Sequence, residues 1–125
     1  MKAQVNNIEE LRKIKIGDLV EIVYPEGIYP HHLMVFEGFV NHKYSFIRPY
    51  RENQGIDGNS TNLDIFYRRY KEEDISFKEG ALVFNKRCEF GKYKFDDLSE
   101  DYLKRAKLIN NAGYWRSGFF KFPNK

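Results

Sequence analysis

The chain has 125 residues and a formal net charge of +3. Its length fits one domain, which we predict over residues 1–125. The charge is small for a committed binder of duplex DNA, and the lone Cys88 excludes an intrachain disulfide and a multi-cysteine zinc site. The sequence has no apolar leader and no apolar run of membrane length. With one cysteine, we therefore expect a cytoplasmic protein with no membrane partner.

Basic residues are concentrated in two segments. Residues 43–71 contain six Lys or Arg against three Asp or Glu, and residues 102–125 contain six Lys or Arg and no acid. A weakly basic protein with such segments can hold an anion locally.

The N-terminal segment predicts a short helix followed by a strand. Asn6 or Asn7 can cap an acidic first turn, which indicates a short helix over residues 7–13. A turn at Gly17 then leads into alternating apolar residues up to Tyr24. Residues 14–24 resemble the opening strand of SH3-like small barrels of the Tudor and KOW kind. The resemblance implies a fold and no binding residues.

The middle of the chain predicts two further strands joined by a tight turn. Residues 31–40 predict a strand in which Gly38 indicates a bulge or a close backbone approach. Residues 41–43 predict a hairpin turn into a strand at 44–51. Residues 52–62, rich in Gly, Asn and Ser, predict an exposed loop.

The next strand, at residues 63–71, has arginines and aromatic rings on both faces. Strand alternation predicts one face with Leu63, Ile65, Tyr67 and Arg69 and another with Asp64, Phe66, Arg68 and Tyr70. Each face begins apolar and ends in an arginine beside a ring. Residues 44–51 repeat this composition. We therefore expect a rim patch of arginines and tyrosines.

The C-terminal part predicts a hairpin and a helix. Residues 75–77 and 81–84 flank a predicted turn at 78–80. A helix over residues 98–112 is indicated by Asp97 and Glu100 at capping-box spacing and by Gly113 just past its end. Its predicted apolar stripe consists of Leu98, Tyr102, Ala106, Ile109 and Ala112. The aromatic segment at 114–122 is expected to pack back on the sheet.

These elements predict a mainly β protein with one or two helices, in the α+β class. The sheet is expected to be a small SH3-like barrel or a strongly curved antiparallel sheet, with helix 98–112 packed on it. Aromatic residues form 17% of the chain, and a ring-rich core can close such a fold.

The candidate ligand-binding residues are arginines and rings from the two strands and the C-terminal segment. They are Tyr44, Arg48, Tyr50, Arg51, Tyr67, Arg68, Arg69, Tyr70, Trp115 and Arg116. Guanidinium groups bind phosphate in a bidentate manner, and exposed rings stack on bases. Core rings with arginines reaching along the sheet rim explain the same composition about equally well.

No pattern in the chain predicts catalysis. Adjacent His31 and His32 face opposite sides of a strand, so they cannot easily share a metal. Cys88 is a candidate nucleophile beside Arg87, but a small core residue explains it better. Phosphate-binding, dinucleotide-binding and nucleophile-elbow motifs are missing. We predict no catalytic residue, no metal and no cofactor, and we favour a non-enzymatic protein.

Three functional hypotheses stay open. The first is a non-enzymatic binder of nucleic acid or a nucleotide-like anion. The second is a protein-interaction module, such as a small phage- or mobile-element-type inhibitor that docks on a larger target. The third is a homo-oligomer that encloses a nucleotide between arginines and rings.

Overall fold

The computed structural model describes residues 2–23, 32–49, 64–85, 88–94 and 99–114. These ranges contain two α-helices, α1 (Ile8–Leu11) and α2 (Glu100–Asn111), and a 3-10 turn at Glu72–Asp74. The strands are β1 (Leu19–Val23), β2 (His32–Val40), β3 (Lys43–Pro49), β4 (Ile65–Tyr70), β5 (Ile75–Lys78), β6 (Ala81–Phe84) and β7 (Glu89–Tyr93). The protein is therefore mainly β in the α+β class, as the sequence predicts.

The described strands form one seven-stranded sheet in the order β5-β6-β1-β2-β3-β4-β7. Strands β1 and β6 pair in parallel, and the other neighbours pair antiparallel. The sequence predicts an antiparallel sheet as one of two forms, and the sheet is mixed because of this one parallel pairing. Strand β2 pairs with β1 on one side. Strand β6, which follows β5 in the chain, pairs with β1 on the other side and runs in the same direction as β1.

The sheet is strongly curved, and the short connection from β4 to β5 requires this. These strands lie five positions apart in the pairing order, which is about 24 Å in a flat sheet. The five Cα steps from Tyr70 to Ile75 span at most about 18 Å, and part of that path is a 3-10 turn. The Tyr70 ring on β4 stacks on Phe84 of β6, with centroids 3.6 Å apart. The pairing order of the described strands is open, so closure into a barrel is not confirmed.

The two faces of the sheet carry separate apolar clusters because neighbouring strand residues point to opposite sides. One face packs under α1 and the β5–β6 hairpin and contains Val20, Met34 and Phe46. The other packs against α2 and contains Leu19, Val35 and Ile47. We call the first side the core face and the second side the helix face. Residues of the two faces alternate along β1, β2 and β3.

A tight turn and a bulge position β2 against β3. Asn41 (φ 54°) and His42 (φ 64°) form the two-residue turn between β2 and β3, which confirms the predicted hairpin. The register of β2 on β3 shifts between Phe36 and Gly38, and Gly38 has a φ of 114°. This confirms the predicted bulge. The extra residue brings the rings of Phe36 and Phe39 together, with centroids 5.7 Å apart.

The C-terminal helix packs on the sheet through its predicted stripe. Tyr102, Ala106 and Ile109 are fully buried in the cluster on the helix face. The N-cap is Ser99, whose hydroxyl accepts a hydrogen bond from the Tyr102 amide, and not the predicted Asp97. A serine hydroxyl directly before the first turn reaches this amide. Hence α2 begins two residues later than predicted.

Candidate functional site

The structure separates the two adjacent arginines of β4. Arg68 points to the core face beside Phe46 and Phe90, and Arg69 points to the helix face beside Ser45 and Glu89. The predicted alternation of β4 is confirmed over the described residues. The two arginines therefore belong to different sites, which we describe in turn.

Two predicted ligand-binding tyrosines lie in the core. Tyr44 and Tyr70 are each 4% exposed, and both belong to the apolar cluster on the core face. The Tyr44 hydroxyl donates to Glu72 at 2.9 Å, and burial together with this contact raises the pKa of Tyr44 to about 12. Neither ring presents a face to a ligand in this arrangement.

Arg69 lies in a buried polar network, which we define as Glu37, Ser45, Arg69, Tyr93 and Arg105. The Arg69 guanidinium donates to the Ser45 hydroxyl at 3.1 Å and to the Tyr93 hydroxyl at 3.0 Å. It also pairs with Glu89 at 2.8 Å. Burial opposes the charge of Arg69, but the contacts with Glu89 and Tyr93 raise its pKa overall.

Glu37 is the acceptor at the centre of this network. Its carboxylate accepts from the hydroxyls of Ser45 at 2.6 Å and Tyr93 at 3.0 Å, and from the Arg105 Nε at 2.9 Å. The Glu37 side chain is 1% exposed. Burial, followed by the neighbouring Glu37 charge, raises the pKa of Tyr93.

The buried polar network fastens α2 to the sheet. Arg105 belongs to α2, Glu37 to β2 and Tyr93 to β7, and the Arg105 guanidinium lies over the Tyr93 ring at 4.6 Å. Because Glu37 and Glu89 partner the two arginines of the network, their charges are balanced within the protein. Arg69 therefore has a structural role in this conformation.

Arg68 belongs to a different surface, where cations and rings alternate across three strands. The strand register places Arg48, Phe66 and Lys92 side by side on β3, β4 and β7. The next row on the same face contains Phe46, Arg68 and Phe90. We call the five residues outside the core the cation–ring face: Arg48, Phe66, Arg68, Phe90 and Lys92.

The members of the cation–ring face contact one another. The Arg68 guanidinium lies 5.3 Å from the centroid of the Phe90 ring, and the Phe66 and Phe90 rings are 4.9 Å apart. Phe90 is 52% exposed although it is a large apolar residue. The face has three cations, and Asp64 approaches Lys92 at 3.6 Å. This arrangement combines positive charge with an accessible apolar ring.

Tyr67 lies on the helix face and supports Arg69. The Arg69 guanidinium lies 3.7 Å from the centroid of the Tyr67 ring. The Tyr67 ring covers Gly91 so closely that a Cβ there would lie 2.2 Å from the Tyr67 hydroxyl. Gly91 on β7 therefore makes room for the ring.

Four predicted site residues fall outside the described part of the chain. They are Tyr50, Arg51, Trp115 and Arg116. Their assignment to a ligand site stays a prediction.

Sequence reasoning missed several residues of both surfaces. Phe90, Lys92 and Tyr93 lie on β7, whose short and weak alternation did not identify it as a strand. Glu37 sits in the bulge of β2, and Arg105 follows it by 68 residues. The order Glu, Phe, Gly, Lys, Tyr does not alternate polar and apolar residues, so no local signal identifies β7.

The described residues contain no group of three or more His, Cys, Asp or Glu side chains arranged to hold a metal ion. Within the same ranges, neither helix has the length and apolar character needed to cross a membrane. Comparisons of the chain with protein-family models, with curated proteins and with solved structures found no significant match.

Proposed function

We propose that the protein is a non-enzymatic binding protein that holds nucleic acid or a nucleotide-like anion on the cation–ring face. The observation that supports this proposal is the alternation of Arg48, Arg68 and Lys92 with the rings of Phe66 and Phe90 on one side of the sheet. Cations attract phosphate, and exposed rings stack on bases. A reducing cytoplasm is the expected compartment, since the chain has one cysteine.

Arg68 is the residue on which the proposal depends most. It lies at the middle of the face, on the central strand of the three, and contacts the Phe90 ring. The Arg68 Nη1 donates to the Cys88 sulfur at 3.9 Å, and a phosphate oxygen is a much stronger acceptor for this donor than a thiol sulfur. Its neighbour Arg69 is held by Glu89 and Tyr93, so we do not assign it to the ligand.

The test compares two charge reversals that change the net charge equally. Arg68→Glu removes a cation from the face, and Lys104→Glu removes an exposed one from α2 on the opposite side of the sheet. Binding of labelled oligonucleotides and nucleotides is measured by fluorescence anisotropy. We expect Arg68→Glu to weaken binding about 10- to 100-fold, because it removes a charge-assisted hydrogen bond. Equal effects of the two variants would contradict the proposed site.

The alternative is a protein-interaction module of the small inhibitor type. Two exposed rings favour it: Phe39, 63% exposed near the β2–β3 turn, and Phe90. Protein interfaces are enriched in aromatic residues and arginine. A single protein recovered with the tagged chain, lost on Phe39→Ala and retained on Arg68→Glu, would favour this alternative. Nucleic acid in the purified sample, detected by its absorbance at 260 nm, would favour the first proposal.

A further inference from the structure

We infer that the ligand of the cation–ring face is single-stranded nucleic acid. One base lies against the Phe66–Phe90 ring pair, and backbone phosphates lie on cations at both sides. This inference rests on the proposed function and names the ligand class of the same site.

The ring pair selects for unpaired bases. The Phe66 and Phe90 rings are 4.9 Å apart and inclined by 47°, so they form one apolar ledge on which a flat base can stack against one ring at a time, with Phe90 the more exposed. A phenylalanine ring offers no hydrogen-bond donor or acceptor to read a base edge. It contributes by stacking on a base face, which a duplex hides between neighbouring base pairs. The ledge therefore favours a strand whose bases are free.

The cations on both sides of the ledge select for a chain over a free mononucleotide. Arg48 flanks Phe66 on β3, and Lys92 flanks it on β7. Two strand spacings separate these positions, which is about 10 Å. A nucleotide inside a strand has a phosphate on each side of its sugar, whereas a mononucleotide has its charge at one end. Both flanking cations can therefore be used at once only by a strand that crosses β3, β4 and β7.

The number of cations limits the length of the contact. Arg48, Arg68 and Lys92 can contact at most about three phosphates, and Lys92 must exchange its ion pair with Asp64 for one of them. Each phosphate contact on a single strand contributes about −0.7 to the slope of log K against log salt, so the expected slope is no steeper than about −2. A long groove that follows the backbone of a duplex would contact more phosphates and give a much steeper slope.

The experiment uses the full chain and fluorescein-labelled oligodeoxythymidine, with the matching duplex and a thymidine nucleotide as competitors. We expect the single strand to bind, and the duplex and the mononucleotide to compete at least about 10-fold less well. Phe90→Ala should weaken binding about 5- to 150-fold through the loss of base stacking. Phe90→Trp should retain it, because the larger ring stacks at least as well.

Two matched controls separate this site from general effects of charge and exposed rings. Phe39→Ala removes a ring that is 63% exposed, against 52% for Phe90, from another part of the surface, and we expect no change in affinity. Lys92→Gln should reduce the salt slope by about 0.7, whereas Lys104→Gln, with the same loss of charge, should leave it unchanged.

The outcomes distinguish this inference from the proposed function. Equal affinity for duplex and single strand, or no effect of Phe90→Ala, would overturn the single-strand inference. Binding of a mononucleotide as tight as that of the strand would overturn it as well, and the broader proposal of an anion-binding face would survive. Failure of all three probes to bind would overturn both.

Discussion

Single side chains on β4 show how one strand serves two sites. Arg68 and Arg69 are neighbours in the chain, yet the strand pleat directs them to opposite faces. Arg69 is 8% exposed and paired with Glu89, whereas Arg68 lies beside the exposed ring of Phe90. The same residue type therefore stabilises the fold on one face and is the proposed ligand contact on the other.

Gly91 is the residue whose replacement most directly tests the helix face. A Cβ at this position would lie 2.2 Å from the Tyr67 hydroxyl, so Gly91→Ala must displace the ring on which Arg69 stacks. We expect a loss of about 1–3 kcal/mol in the free energy of unfolding, measured by urea titration.

The control for Gly91 is a double-mutant cycle. In a Tyr67→Ala background the obstructing ring is gone, so Gly91→Ala should lower the free energy of unfolding much less than it does in the wild-type chain. Additive losses in the cycle would show that the close approach of Tyr67 to Gly91 is not the cause.

On β4, the orientation of each residue could be predicted from the sequence, but its burial could not. The alternation of β4 depends only on the local pleat, so the separation of Arg68 from Arg69 follows from their positions. The burial of Tyr70 depends on Phe84, which belongs to a strand at the far side of the sheet. No local pattern carries that information. For the same reason the pairing of Glu37 with Arg105 was not predictable.

At the scale of elements, the buried polar network decides how α2 is held. Glu37 accepts hydrogen bonds from β3, β7 and α2, through Ser45, Tyr93 and Arg105. Glu37 itself lies in the bulge of β2, between Phe36 and Gly38. An apolar stripe alone would let a helix slide along the sheet, whereas a directional ion pair fixes its position.

Two carboxylates bonded to the same arginine give a matched test of this role. Glu37 and Asp101 both accept from Arg105, but the Glu37 side chain is 1% exposed and the Asp101 side chain 81%. Glu37→Gln leaves the buried Arg105 guanidinium without its charged partner, and we expect a loss of about 3–5 kcal/mol in the free energy of unfolding. Asp101→Asn should cost less than about 1 kcal/mol. Similar losses in urea titrations would contradict a network centred on Glu37.

At the scale of the whole molecule, an ion pair on the surface connects distant parts of the chain. Glu72, in the turn that carries the chain from β4 to β5, accepts from Arg12 after α1 and from Tyr44 on β3. These hydrogen bonds, the one from Arg12 first, lower the pKa of Glu72 below its usual value of 4.5. The contact therefore joins α1 to the point at which the sheet curves.

The lowered pKa of Glu72 predicts how the free energy of unfolding changes with pH. The folded carboxyl of Glu72 holds its proton less tightly than the unfolded one, so its contribution to stability is complete above the unfolded pKa of 4.5. This contribution is lost as the pH falls through the lower folded pKa. We expect Glu72→Gln to flatten the fall in unfolding free energy below about pH 5. Glu73→Gln removes the same charge one residue further on. An equal flattening there would show that the contacts of Glu72 are not the cause.

Phe84 is the residue whose replacement tests what holds the sheet in its curved form. Phe84 contacts Tyr70 on β4 and Phe46 on β3, so it holds the β5–β6 edge against strands that lie four and three positions away. Phe84→Ala should cost about 3–5 kcal/mol, because it leaves a cavity inside the curve. Phe39→Ala, on a ring that is 63% exposed but contacts Phe36, should cost less, about 1 kcal/mol.

Hydrogen exchange separates a loss of curvature from a general loss of packing. If Phe84 holds the curve, the amides of β5 and β6 should exchange faster in Phe84→Ala, through an opening smaller than global unfolding. The amides that join β3 to β4 should keep protection near the new global limit, since both strands are still paired on each side. Phe84→Leu retains most of the apolar volume and should give the same pattern at smaller amplitude. Uniform acceleration across all strands would instead mean that the sheet unfolds as one unit, with the β5–β6 edge no weaker than its centre.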